Sequence, residues 1–262
     1  MSILISATNV LRAYSAERPE LTVTEVCSVL GLPKSNASRL LRAMRDVGLL
    51  ESVGETKRYR PSALLHQAGQ VFRVSSPLLR QADEVVRRIS AETGHTGYVS
   101  RRDGLQMLAL TDHPATRVLR VASSIGRRLE AAASATGRSV LARMPDARIR
   151  ALYADGLVSP SPNAPQSIDD LLARLTIVRR DGFAESNDES LRGVGALGVA
   201  VGDPESGDTV SLCIAYPAAS IDADERRAVA RSLVAGAQAI AQALGDAQFP
   251  SDPLVLKTCG LP

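Results

Sequence analysis

The sequence predicts an α+β protein in two parts: a small basic unit of helices closed by a β-hairpin, and a larger unit of hairpins flanked by helices. Three observations point there. Residues 1–75 carry ten Lys/Arg against six acids, while the rest of the chain is close to neutral. The first block has short runs of helical period punctuated by Gly and Pro, then two strand-like runs. The second block mixes alternating runs with helical ones, the pattern of helices laid on a mostly antiparallel sheet.

In order, residues 3–14 carry Ile5, Val10 and Leu11 at helical spacing. Thr22 and Glu25 form a capping box for a helix to Leu30, whose apolar members are Val23, Val26, Cys27 and Leu30. Gly31 stops it, Pro33 suits the first turn of the next helix, and Gly48 ends that one. LLESV and KRYRP around a GET turn read as a hairpin. Residues 64–72 are weakly helical, and Ser76-Pro77 opens a helix to Thr93. We place the domain boundary near residue 75, giving a domain over 1–75 and another over 76–245.

In the second domain HTGYVSRR and LQMLALT flank the Asp103-Gly104 turn, and RVLRVAS reads as a further strand. Residues 134–144, 145–154 and 168–180 read as helices, with a Pro/Ser-rich loop over 158–167. Strands over 197–201 and 209–216 enclose the DPESGD turn, and a last helix spans 222–244. Residues 246–262, with little periodicity, are expected to form a loose tail.

Composition narrows the functions. Trp is absent and aromatics make up 3% of the 262 residues, against a base-stacking platform. Cys27, Cys213 and Cys259 form no CxxC, and the histidines are only His66, His95 and His113, so neither a disulfide framework nor a zinc site is expected. No apolar run is long enough for a membrane helix and the N-terminus lacks a basic leader, so a cytoplasmic chain without membrane contact is expected. No nucleophile–base pair or phosphate loop calls for catalysis or a cofactor. GVGALG at 193–198 matches G-x-G-x-x-G, but SNDESLR precedes it, a strand follows it, and Cys213 occupies the place of the ribose-binding acid. Cys213 in VSLCIAY has no cation beside it and reads as a packed wall residue, not a nucleophile. His95 and His113 read as strand-end or loop residues.

The strongest constellation is helix, Gly turn, helix, hairpin. At about 100° per residue, Ala37, Leu40, Leu41, Met44 and Val47 share one arc of helix 33–47. Lys34, Ser35, Ser38, Arg39, Arg42 and Arg45 share the other. A helix that enters the major groove needs such a bare polar face, because its side chains must reach base edges and phosphates. Together with the basic hairpin, this assigns DNA contacts to Lys34, Ser35, Asn36, Ser38, Arg39 and Arg42 on the helix and to Lys57, Arg58 and Arg60 on the wing. Duplex DNA is the expected partner.

The stretch LTVTEVCSVLGLPKSNASRLLRAMRDVGLLESVGETKRYRPS resembles the winged helix-turn-helix of IclR-type transcriptional regulators. IGRRLEAAASATGRSVLARM is similar to that family's loop and A-x-G-K-x-x-L-A segment, with Arg138 in the Lys place. RRDGFAESNDESLRGVGALGVAV followed by GDTVSLCIAYP resembles its effector-domain signature. The resemblance covers roughly residues 5–245. It implies a GAF-like effector domain joined by a helix to the winged domain, assembly as a homodimer or dimer of dimers, and a small-molecule effector. It places Val121, Leu129, Ala135, Thr136, Ser186, Ala196, Cys213 and Ala215 at the effector site. Glu130, Ala131 and Ala132 stand where the family usually has Pro-x-His. Several matched pocket positions are apolar, which implies a larger or more apolar effector such as an aromatic acid. The competing class is a small-molecule enzyme or stand-alone sensor that does not bind DNA, and salt-sensitive binding to duplex DNA separates the two.

Overall fold

The computed structural model describes residues 2–15, 18–121 and 125–250. It divides into two compact units, one ending at Ser76 and one beginning at Pro77. The first contains α1 (Ile3–Arg12), β1 (Leu21–Thr22), α2 (Val23–Leu30), α3 (Lys34–Asp46), β2 (Leu50–Ser52), β3 (Arg58–Pro61) and α4 (Ala63–Ser75). The Thr22–Glu25 capping box is present, with the Glu25 carboxylate accepting the Thr22 amide at 2.7 Å. Gly31 ends α2 at φ +62°, a left-handed conformation that costs other residues dearly. Val10, Leu21, Val26, Ala37, Leu40, Leu41, Met44 and Leu50 are buried together and hold the helices in place. The hairpin gains a third member, since β1 pairs with β3 to give the order β1-β3-β2. Two residues carry no periodicity, so β1 has no sequence signal. The half-buried Cys27 packs against this core as expected.

The second unit contains α5 (Pro77–Thr93), β4 (Thr96–Asp103), β5 (Gln106–Ala109), β6 (Arg128–Glu130), α6 (Ala135–Leu141), α7 (Asp146–Leu152), α8 (Ile168–Asp181), β7 (Ala184–Asn187), β8 (Val194–Asp203), β9 (Asp208–Pro217) and α9 (Ala223–Leu244). The strands form one antiparallel sheet in the order β6-β5-β4-β9-β8-β7. Alternation along each strand sorts side chains to two faces. Val99, Leu197, Val199, Leu212 and Ile214 pack against α5 and α9 through Leu79, Val86, Leu233 and Val234. The opposite face is built from smaller residues, Ala196, Cys213 and Ala215 among them.

Three expectations are corrected. Residues 117–121 of RVLRVAS form no strand: β6 occupies the free edge of β5, and the Val121 carbonyl accepts the Thr96 hydroxyl at 2.7 Å instead. The end of that run, 122–123, lies outside the described residues. The edge strand β7 was missed because Ala-Glu-Ser-Asn has no strand signature, and its partner β8 imposes the conformation. Residues 246–250 are not loose. Asp246 is buried, accepts the Gly202 amide and an Arg143 N–H, each at 2.7 Å, and Phe249 joins the core under α9. Such ties leave no periodic trace in a sequence. Residues 251–262, with Cys259, lie outside the described residues.

Candidate functional site

The polar arc of α3 stands as the helical wheel requires, but the apolar arc stops at Met44: Val47, expected on it, caps the helix end and is 67% exposed. Ala37, Leu40, Leu41 and Met44 are buried, while Lys34, Ser35, Asn36, Arg39 and Arg42 are exposed and Ser38 is half-buried. Arg39 donates to the Asn36 side-chain oxygen at 2.8 Å, and the Arg42 Nε donates to the Ser38 carbonyl at 3.4 Å. Arg45 turns to Asp46 at 2.7 Å. In the wing, Arg60 pairs with Glu51 at 2.6 Å and Arg58 lies 3.8 Å from Glu20. Exposed pairs of this kind are worth only about 0–1 kcal/mol, so phosphate can replace the carboxylate. Lys57 precedes the first residue of β3. Tyr59 packs inward, and its carbonyl accepts the Tyr14 hydroxyl at 3.1 Å.

The second unit holds a pocket on the small-residue face of its sheet. Its floor comes from Tyr98, Ser100, Ala109, Ala196 and Ala215, side chains that alternation sends to one face of four strands. Met107, Leu129 and Val121 close one side, and Ser134, Ala135, Ser186, Ser190, Leu191 and Val194 the others, with Arg127 bringing a cation to the wall. The cavity between these walls measures about 40 Å³. The Ser134 hydroxyl caps α6 by accepting the Gly137 amide at 3.1 Å, and Ser190 donates to the Ala133 carbonyl at 2.7 Å. The site therefore offers an apolar cavity with hydroxyls and one guanidinium converging on it.

Six of the eight residues assigned to this site by resemblance line it: Val121, Leu129, Ala135, Ser186, Ala196 and Ala215. Thr136 and Cys213 do not. The Thr136 hydroxyl donates to Ser134 Oγ at 3.2 Å inside the protein. Cys213 lies under the first turn of α6, which seats on the sheet at Gly198, where a Cβ would come within 2.8 Å of the Ala135 carbonyl. Burial pushes the Cys213 thiol up to about 12. Arg127, Tyr98, Ser100 and Ser190 were missed. Arg127 follows a run misread as a strand, and pairing alone tells which strands place Tyr98 and Ser100 beside Ala196. His95 and His113 lie outside the pocket: His95 Nε2 is 3.2 Å from Glu225 and His113 Nε2 is 2.7 Å from Asp83. GVGALG runs into β8, so its glycines make no strand-to-helix turn.

The family models match both units in order. The IclR helix-turn-helix domain covers residues 6–54, and the bacterial transcriptional regulator IclR C-terminal domain covers residues 72–242. The chain belongs to the IclR family of transcriptional regulators. It is 25% identical over 251 residues to the HTH-type transcriptional regulator KdgR of Dickeya chrysanthemi, covering 95% of this chain and 82% of that one. The crystal structure of an IclR transcriptional regulator from Silicibacter sp. TM1040 superposes with a TM-score of 0.82 at 22% identity, covering 95% of this chain and all of that one. An IclR homologue from Microbacterium hydrocarbonoxydans, complexed with 4-hydroxybenzoate, superposes with a TM-score of 0.73 at 17% identity, covering 94% of this chain and all of that one. As an IclR regulator, the chain carries a DNA-binding helix-turn-helix unit and a C-terminal effector unit.

Proposed function

We propose that this IclR regulator binds a (pseudo)palindromic operator as a dimer or dimer of dimers, with its operator affinity set by a small organic acid, an aromatic acid foremost. The observation that carries the effector class is Arg127 at the wall of an otherwise apolar pocket flanked by Ser100 and Ser186. A guanidinium and hydroxyls match a carboxylate, while Met107, Leu129, Leu191 and Val194 match an apolar ring. The 4-hydroxybenzoate complex of the Microbacterium relative supports this reading.

The DNA contacts of this proposal are Lys34, Ser35, Asn36, Ser38, Arg39 and Arg42 on α3, with Lys57, Arg58 and Arg60 on the wing. One apolar helix face supports self-assembly: α4 buries none of its residues and presents Leu64, Val71 and Phe72 on one stripe, and the exposed Ile3, Leu4 and Ile5 at the start of α1 add apolar area. A second copy of the chain would remove this area from water. No described helix is long and apolar enough to cross a membrane, in keeping with a proposed cytoplasmic site of action. A ligand alters operator binding only if it prefers one of two arrangements of the regulator, and it then changes DNA affinity by the same factor by which DNA changes its own.

The test is a thermal-shift screen of benzoates against aliphatic carboxylates and neutral aromatics. A ligand at one hundred times its dissociation constant stabilises the folded form by about 2.7 kcal/mol. Benzoates are expected to raise the melting point and to change operator affinity. A screen in which neutral aromatics match the benzoates would remove the anionic group from the reading.

A further inference from the structure

The strap between β7 and β8, residues 188–193, supplies two walls of the pocket, Ser190 and Leu191. Its strongest ties lie behind the pocket. The Arg138 guanidinium, leaving α6, meets both carboxylate oxygens of Glu189, with Nη2 2.8 Å from Oε1. The same guanidinium donates to the carbonyls of Ala132, at 3.1 Å, and Glu185. Arg174 of α8 adds a second cation 3.3 Å from Glu189. The two central side chains are 3% and 8% exposed. Asp188 sits at φ +55°, and its carboxylate accepts the Gly193 amide, which closes the strap on itself.

The three acceptors of Arg138 share one property. Ala132 precedes Ser134 by two residues, Glu185 precedes Ser186, and Glu189 precedes Ser190. One guanidinium thus ties together three separate segments, each within two residues of a hydroxyl that lines the pocket. We propose that Arg138 and Glu189 are positioning residues of the effector site: neither lines the pocket, and together they hold the strap at the distance from the sheet that sets the pocket's width. A buried ion pair suits this task, because either charge left without the other is strongly unfavourable and the partners separate only when the strap moves as a whole. The role rests on the reading of this pocket as the effector site.

The test is hydrogen–deuterium exchange of the full-length protein in Glu189→Gln, with benzoate titration as the second arm. Peptides covering 187–194 are expected to exchange about tenfold faster or more, since tenfold corresponds to about 1.4 kcal/mol in an opening equilibrium. Peptides from α9 are expected to stay within about twofold, the margin that separates local opening from global loss of stability. Glu189→Asp keeps the charge and withdraws it by one methylene, so it is expected to fold and to fall between the two. Unchanged exchange at 187–194 in both variants, or acceleration there only in step with α9, overturns the assignment. Benzoate affinity is expected to fall about tenfold in Glu189→Gln, because without the pair the closed strap no longer rests at the distance from the sheet that sets the pocket's width. Faster strap exchange with unchanged benzoate affinity overturns the positioning role. Faster strap exchange in a wild-type background that binds no benzoate overturns the effector chemistry and leaves the strap assignment standing.

Discussion

Ala196 stands directly across the β8–β9 ladder from Ala215, and both line the pocket. Ser186 pairs with Ala196 on one side and Thr96 with Ala215 on the other, so one row of residues crosses four strands. The two methyl groups leave the middle of that row low, and the ligand space lies above them. Ala215→Trp is expected to fill this space and abolish the effector response while operator binding persists, because α3 belongs to a separate compact unit. Overpacking costs about 1–3 kcal/mol, which a folded domain of this size can absorb. Operator titration with and without benzoate reads the outcome, and retained effector affinity would move the pocket elsewhere.

Arg39 is exposed and held by Asn36, so its removal is expected to leave stability within about 0.5 kcal/mol. Arg39→Ala is expected to cost about 1–3 kcal/mol in specific binding and to relax one operator position. A uniform loss over all operator sequences would make it a phosphate contact.

The wing supplies charge more than base readout. Replacing Lys57, Arg58 and Arg60 together by alanine is expected to weaken binding evenly across sequences. The slope of log affinity against log salt is expected to flatten by at least about 0.9, the value of one lost phosphate contact. Unchanged affinity and slope would take the wing off the DNA.

Residues 246–250 act as a structural fastener. Asp246→Ala leaves Arg143, which is 13% exposed in the pair, without its carboxylate and the Gly202 amide without its acceptor. The expected loss is about 3 kcal/mol, or about 6–12 °C in melting temperature for a domain of this size. A change below about 2 °C would mean that the segment carries little of the domain's stability.

Cys213 is expected to resist alkylation at pH 8 in the folded protein and to react once unfolded, read by mass spectrometry of its peptide. Burial raises its thiol from 9.0 to about 12, and only the thiolate reacts. Because the unfolded chain then loses this proton first, the thiol contributes nothing to the pH dependence of stability below about pH 8. It lowers stability as pH rises from about 9 towards 12. Rapid labelling of the native protein would show that α6 lifts from the sheet.

The sequence by itself determined what repeats locally. The Thr22–Glu25 box, Gly31, the two-faced wheel of α3 and the Asp103-Gly104 turn each rest on neighbours in the chain, and each stands in the structure where those neighbours place it. Cys213 and Ala215, two apart, were legible as sharing one strand face because alternation along a strand is also local, while Ala196 was assigned to the site by the family resemblance and meets Ala215 only across the β8–β9 ladder. Tertiary structure alone decided the rest. Whether Cys213 faces the cavity depends on how closely α6 approaches Gly198. The partners that meet across the sheet and strap — Arg138 with Glu189, Arg143 with Asp246 — lie 51 and 103 residues apart. No periodicity connects residues so far apart, since their burial depends on which segments the completed sheet brings side by side.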